Sequence, residues 1–583
     1  MTYQDDIQDA NTYLQQGNYD RALKAALAAF KKSPLSPAAL NLAGIASSAN
    51  GRSDDAIRYF QKALKLKTDF PDAQKNLAQT LVLSGRYDVA ITLLHRLSSE
   101  RPEDWKVWFL KAQAEFGLGR DKNALQAIDA ALALERKQPT LHHLRSTINL
   151  SLGRIQDGID DLWQVLEINP NDVTALTNLS LPLARQTRSQ DALKVVEKAV
   201  EIAPDNLPAR YRLAAQFIEM GRSEEGIAQY ESLLNIQHDH PGALEQLTKL
   251  LPREEVAALE ARIQAALKRV SRNPEDRACL FFALHGALVA KGKFEEADKM
   301  LGRANKEMAG LRPYNIDADA SVTQAILDRF PSEIQLERQN TTAFTPIFVI
   351  GLPRSGTTLV EAVLGLHPHV APLGERGTVG FLLRDTIEQN LPFAQRDAEI
   401  IAQQDRRLLP DLPEGTVAYV DKMPENYRLV GFLKLIYPNA RIINVQRDPR
   451  DIALSMWKSH FSGSVLSYTY DWAWMAAKFN LYARSMEHWR MTLPGEILDI
   501  DYRDLVEDIE TAGHRMADFC GLAWYRHMAR PDLSTTQVLT QSATQLRRPV
   551  HRESVGKWRE KASLLTPFIA GLDHRLWFDY IQN

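Results

Sequence analysis

Seven positions spaced 34 residues apart constrain this chain more than any other feature: Gly17, Gly51, Gly85, Gly119, Gly153, Thr187 and Gly221. Each follows an amphipathic helical stretch. Five residues later comes a small residue in every case: Ala22, Ala56, Ala90, Ala124, Gly158, Ala192 or Gly226. A small side chain there lets two antiparallel helices approach closely, where a larger one would hold them apart. Pro34, Pro102, Pro170 and Pro204 recur in phase at the ends of the second helices, where proline stops a helix without breaking a hydrogen bond. The three coincident classes predict a stack of helix pairs over residues 4–245, each burying its apolar face only against its neighbours.

The period and segments such as "SGRYDVAITLLHRLSSERPED" resemble tetratricopeptide repeats. The resemblance implies an N-terminal all-α superhelix, assigned to residues 1–245, with a concave face for a protein or peptide. The plainer readings are a rigid extension or a homodimer surface. Asn41, Asn76 and Asn178 could grip a peptide backbone, but polar helix positions are ordinarily just solvated. Between 246 and 345 the period slips. "KGKFEEADKMLGRANKEM" keeps the spacing from Gly292 to Ala297 but sits three residues out of phase, which predicts a helical adaptor with one divergent repeat. "RFPSEIQLERQNTTAFTP" then loses helical periodicity and marks a boundary before Pro346.

Over 346–583 the pattern changes. "PIFVIG", "VAYVDK", "ARIINVQ" and "EILDIDY" are short apolar runs separated by helical stretches, which predicts an α/β domain with a parallel sheet covered on both faces. Ligands of such sheets bind beyond the carboxyl ends of the strands. Polar residues collect there: Arg354 to Thr358 after the first run, Lys422 after the second, Arg447 to Arg450 after the third. In "PIFVIGLPRSGTTLVEAVLGLHPH", Gly351 and Gly356 have the spacing of a P-loop, but Thr357 stands where the P-loop lysine would be. Backbone N–H groups, Arg354 and the hydroxyls of Ser355, Thr357 and Thr358 can neutralise an anion without that lysine or magnesium.

"PRSGTTL", followed by "RDPRDIALS" with Arg447 and Ser455, resembles the sulfotransferases that use 3'-phosphoadenosine 5'-phosphosulfate. The nearest likeness is to tyrosylprotein sulfotransferases and bacterial tetratricopeptide-linked relatives. That resemblance implies a P-loop-like sulfotransferase domain. Its cofactor residues would be Pro353, Arg354, Ser355, Gly356, Thr357, Thr358, Arg447 and Ser455. "GLHPHVAPLGE" resembles the segment ending in the family's catalytic acid, which falls on Glu375, and "DKMPEN" the segment carrying its lysine, Lys422. Arg354, Glu375 and Lys422 are thereby implied as catalytic. "IDYRDLVED" and "SATQLRRPVHRESVGKW" add Tyr502, Ser542 and Lys557 to the cofactor site. The product would be 3',5'-bisphosphoadenosine, the acceptor a hydroxyl, with tyrosine in a protein or peptide implied by the nearest relatives. His367, His369 and His460 are rival bases. Asp448 and Asp451 read as turn or helix-start residues.

Two other readings stay open: a P-loop phosphotransferase, disfavoured by Thr357, and a repeat scaffold with an inactive sulfotransferase-like domain. The net charge of -3 gives no global attraction to nucleic acid or an anionic membrane. Cys279 and Cys520 are the two cysteines and form no metal-ligand pattern, so neither a disulfide framework nor a metal is expected. "MTYQDDIQDANTYLQQ" has no basic stretch before an apolar one, and no apolar run approaches a membrane span, so a cytoplasmic location is expected.

Overall fold

A computed structural model describes residues 2–186, 188–269, 273–336, 344–461, 463, 465–534 and 549–581. Thr187 and Ser542 lie outside the described residues, as does 337–343 within the boundary segment. The chain divides into two compact units, Met1–Ala175 and Leu176–Asn583.

The first unit is a succession of paired helices, beginning Tyr3–Gln15 with Tyr19–Lys32 and Pro37–Ala49 with Ser53–Leu66. The periodic glycines end the first helix of each pair. Gly17, Gly51, Gly85, Gly119 and Gly153 all have φ between +70° and +73°, a left-handed conformation that an L side chain adopts only with strain. The small residues behave as their spacing predicts. Ala22, Ala56, Ala90 and Ala124 are fully buried, and a Cβ on Gly158 would lie 2.7 Å from Leu150 Cγ. Pro34 and Pro102 fall two residues beyond the helices ending at Lys32 and Glu100.

The second unit opens with further helix pairs, among them Leu207–Glu219 with Ser223–Ile236. Out of phase, Pro274–Ala290 and Phe294–Leu311 still turn on Gly292 at φ +76°. A five-stranded, wholly parallel sheet follows: β1 Thr345–Gly351, β2 Val370–Pro372, β3 Ala418–Asp421, β4 Arg441–Gln446 and β5 Ile497–Asp501. Its order is β2-β3-β1-β4-β5, so β1 is central. The sequence predicts four of these strands; β2, three residues inside "GLHPHVAPLGE", is too short to carry periodicity.

Burial of β1 on both faces explains its unbroken apolar run. Ile347 and Val349 pack with Val363, Ile443 and Leu505. Phe348 and Ile350 face the other way, into a core with Phe432, Ile452 and Trp489. That core also takes in Phe282 and Met308 of the preceding helices and Phe330 beyond the last of them, so adaptor and sheet share one hydrophobic interior. Asn305 reaches across it, donating from Nδ2 to the carbonyl of Trp457 at 3.0 Å. The adaptor thereby braces the helix Pro449–Trp457, which carries Ser455.

Candidate functional site

The loop after β1 is shaped by close approach. Gly351 pairs with Val445 of β4 in the sheet register, and a Cβ on it would meet the Val445 carbonyl at 2.8 Å. Gly356, at φ +110°, would put a Cβ 2.4 Å from Cδ2 of Tyr502. Between them Arg354 adopts φ +72°, a left-handed conformation that costs a non-glycine residue about 1–3 kcal/mol and clusters at functional sites. The helix Thr357–Gly365 starts on Gly356 with no side-chain cap, leaving its first N–H groups and the positive end of its dipole facing outward.

Arg354 and Arg447 converge beside this helix start. Arg354 Nε donates to Ser455 Oγ at 3.1 Å. From the end of β4, Arg447 donates to the Arg354 carbonyl at 3.0 Å and to the Ser554 carbonyl at 2.6 Å. Its guanidinium lies 4.5 Å from the centre of the Tyr502 ring. Burial, with Arg447 close by, pushes the Arg354 guanidinium down to about 10, and burial lowers Arg447 as well. Two desolvated cations side by side are costly unless an anion joins them. Arg447 Nε and the fully buried Ser355 Oγ find no hydrogen-bond partner among the described residues. A cavity of about 470 Å³ opens here.

The predicted residues divide into three groups. Arg354, Gly356, Thr357, Thr358, Arg447, Ser455, Tyr502 and Lys557 all line that cavity. Pro353 and Ser355 belong to the loop without lining it. Lys422 and Glu375 form a separate pair at the end of β3, Nζ to Oε1 at 2.6 Å, with the lysine side chain 2% and the glutamate 42% exposed.

The sequence reading missed several contributors. Asp451 is more than a helix-start residue: its carboxylate accepts from the N–H groups of Gly556 and Trp558 at 2.7 and 2.9 Å. Arg450, bidentate on Asp448, lies 3.7 Å from the Trp558 ring centre. Together they dock the late segment over the cavity. There Ser554 Oγ meets Tyr502 Oη at 2.8 Å. Lys458 also lines the cavity. Three residues after Ser455, it caps the end of the same helix, a spacing the sequence already displays.

The histidines go elsewhere. His367 accepts the His369 N–H at 3.1 Å, and His369 contacts the Gly415 carbonyl. His460 Nδ1 lies 2.8 Å from Glu245 Oε2, onto which Cys279 also donates. These three ligand atoms fall within 4.8 Å of one another, and Lys249 pairs with the other Glu245 oxygen at 2.7 Å. Those cationic and hydrogen-bonding partners account for a buried carboxylate held down to about 2. Cys279 and Cys520 are unpaired and buried. No helix among the described residues is long and apolar enough to cross a membrane.

Residues 346–526 match the sulfotransferase family. Residues 8–74, 47–104, 81–148 and 183–251 match tetratricopeptide repeats. An uncharacterized protein of Aquifex aeolicus is 30% identical over 353 residues, which cover 57% of this chain and 46% of that protein. Protein-tyrosine sulfotransferase 2 of Gallus gallus is 23% identical over 239 residues, covering 36% of this chain and 62% of its own length. Protein-tyrosine sulfotransferase A of Caenorhabditis elegans is 25% identical over 241 residues, covering 36% and 60%. The matched regions thus span about half to three-fifths of these relatives.

Proposed function

Because this chain joins tetratricopeptide repeats to a sulfotransferase-family domain, we propose that it transfers a sulfuryl group from 3'-phosphoadenosine 5'-phosphosulfate to an acceptor hydroxyl. The observation that carries this reading is the convergence of Arg354 and Arg447, both half-buried and desolvated enough to lower their guanidiniums, on an uncapped helix N-terminus. The donor fits the site's chemistry. It brings two anionic groups on one nucleotide, and the cavity offers the orphaned Arg447 Nε beside the close-packed glycine turn of Gly351 and Gly356. The bound nucleotide would supply the activated sulfuryl group.

The chain's own residues then have separable tasks. Loop N–H groups with Ser355, Thr357 and Thr358 hold the phosphosulfate end, while Arg447 and Ser455, joined by Lys557 and Tyr502, hold the 3'-phosphate. Ser542 is assigned to the same group by resemblance. Glu375 takes the acceptor proton, a contribution typically of about 10²–10⁴-fold. As the acceptor oxygen bonds to sulfur, the bond from sulfur to the bisphosphate oxygen breaks. Arg354 and Lys422 stabilise the charge left on that oxygen. The 2.6 Å contact between Lys422 and Glu375 holds the carboxylate in place beside the cation.

The acceptor we propose is a tyrosine in a protein or peptide presented by the repeats, supported by the names of the relatives and by the repeat matches. We divide the chain into a repeat array to 245, an adaptor to 345 and the transferase domain from 346. The cytoplasm is the proposed compartment, supported by two unpaired, buried cysteines. Incubation with the donor and a tyrosine peptide, read by mass spectrometry, tests the reading. Sulfated peptide with wild type and none with Arg354→Ala is the expected result. A folded wild type that binds the nucleotide without transfer to any hydroxyl would leave the repeats as the working part of a scaffold.

A further inference from the structure

We propose that Glu361 is a positioning residue: from the helix that starts at the phosphate-loop end, it holds the Gly374 amide and so fixes the loop that presents Glu375. It lies in the helix Thr357–Gly365, buried alongside Val360, Val363 and Leu364. On a face packed into the core an aliphatic side chain would be the cheaper choice, because a buried carboxylate loses its hydration. Burial does push the Glu361 carboxyl up, partly offset by the nearby Lys422 ammonium. What it gains is one bond: Oε1 accepts the Gly374 N–H at 2.7 Å.

That bond is placed in a stretch outside regular secondary structure. Residues 373–377 belong to no helix or strand. The Gly374 carbonyl accepts the Lys422 N–H at 2.9 Å, so both polar groups of Gly374 are fixed, one by the helix after β1 and one by the end of β3. On the far side of Glu375, Arg376 pairs with the buried Asp405 at 2.9 Å. Glu375 itself meets Lys422 Nζ at 2.6 Å. The helix that would receive the donor and the carboxylate that would receive the proton thus become one rigid unit.

The inference rests on the transferase reading for what Glu375 does, and its test separates the two. Glu361→Met keeps length and volume but cannot accept the bond; Glu361→Gln keeps an acceptor oxygen and drops the charge. Hydrogen exchange read on peptides covering 370–376 of the full chain is expected to quicken by about tenfold or more in the Met variant and to stay near wild type in the Gln variant. Turnover should fall about 10–100-fold in the Met variant with KM for the donor within about twofold, and recover in the Gln variant. A folded Met variant with wild-type exchange or wild-type turnover overturns the proposal, as does a Gln variant as impaired as Met. A wild type without turnover refutes the transferase reading alone, and the exchange comparison still decides whether Glu361 holds the loop.

Discussion

Replacing Gly356 by alanine tests the geometry of the phosphate loop. At φ +110° the new residue carries backbone strain of about 1–3 kcal/mol. Its Cβ would also lie 2.4 Å from Tyr502 Cδ2, too close for any real contact. The ring cannot simply withdraw, because its hydroxyl meets Ser554 Oγ at 2.8 Å and Arg447 lies 4.5 Å from its centre. Displacing it loses a hydrogen bond of about 1 kcal/mol and a cation–π contact of about 0.5–1 kcal/mol. The sum is about 2.5–5 kcal/mol, shared between folding and the shape of the anion site. At about 1.4 kcal/mol per tenfold, even half the lower figure weakens 3',5'-bisphosphoadenosine nearly tenfold. Gly521→Ala is the control: φ is +69°, nothing lies within 4 Å of an added Cβ, and the residue caps the helix Ile509–Cys520. It should cost about 1–2 kcal/mol of stability and leave affinity unchanged. Calorimetric titration and denaturant unfolding of both variants give the comparison. A Gly356→Ala protein that binds within twofold of wild type, with a stability loss no larger than that of Gly521→Ala, would refute the steric argument.

Three further outcomes follow from the same contacts. Glu375→Gln should lower turnover by about 10²–10⁴-fold while nucleotide affinity stays within a few-fold; loss of affinity instead would assign Glu375 to holding the loop. Lys422→Ala should lower turnover by about tenfold or more while leaving Glu375 without its 2.6 Å partner, and a folded variant with wild-type turnover would contradict the role given to the pair. Asp421 is buried, and burial pushes it from 3.8 up to about 7 in spite of the nearby Arg376. The folded state therefore holds the proton more tightly than the unfolded state. Stability from this group is fully present below pH 3.8 and is lost as pH rises through about 7, a change of about 4 kcal/mol by order of magnitude. The melting midpoint of Asp421→Asn should gain on wild type across that window and stay level above it, and a pH-independent difference would contradict the assignment.

The repeats were legible because each one poses the same packing problem. A left-handed turn needs glycine and a close helix crossing needs a small residue, so Gly85 and Ala90 recur as Gly119 and Ala124. The strand of β1 was equally readable, since burial on both faces leaves an unbroken apolar run. The phosphate-loop residues stood out because their type and order announce anion binding. What stayed hidden depends on contacts distant in sequence. Asp451 looks like any helix-start carboxylate until Gly556 and Trp558 are seen to dock on it, and nothing near Glu361 tells of Gly374. Ser554 sits within the quoted late segment, yet its role comes from Tyr502 and Arg447, which lie 52 and 107 residues away. Lys458 was within reach, three residues from Ser455 at the end of its helix.

The most direct measurement is calorimetric titration of the full chain with 3',5'-bisphosphoadenosine, beside the analogue lacking the 3'-phosphate, for wild type and Arg447→Ala. The account requires wild type to favour the bisphosphate and Arg447→Ala to lose that preference, since Arg447 both faces the cavity and ties Arg354 to Ser554. Equal binding of the two nucleotides by wild type, or no binding by a folded protein, would contradict it.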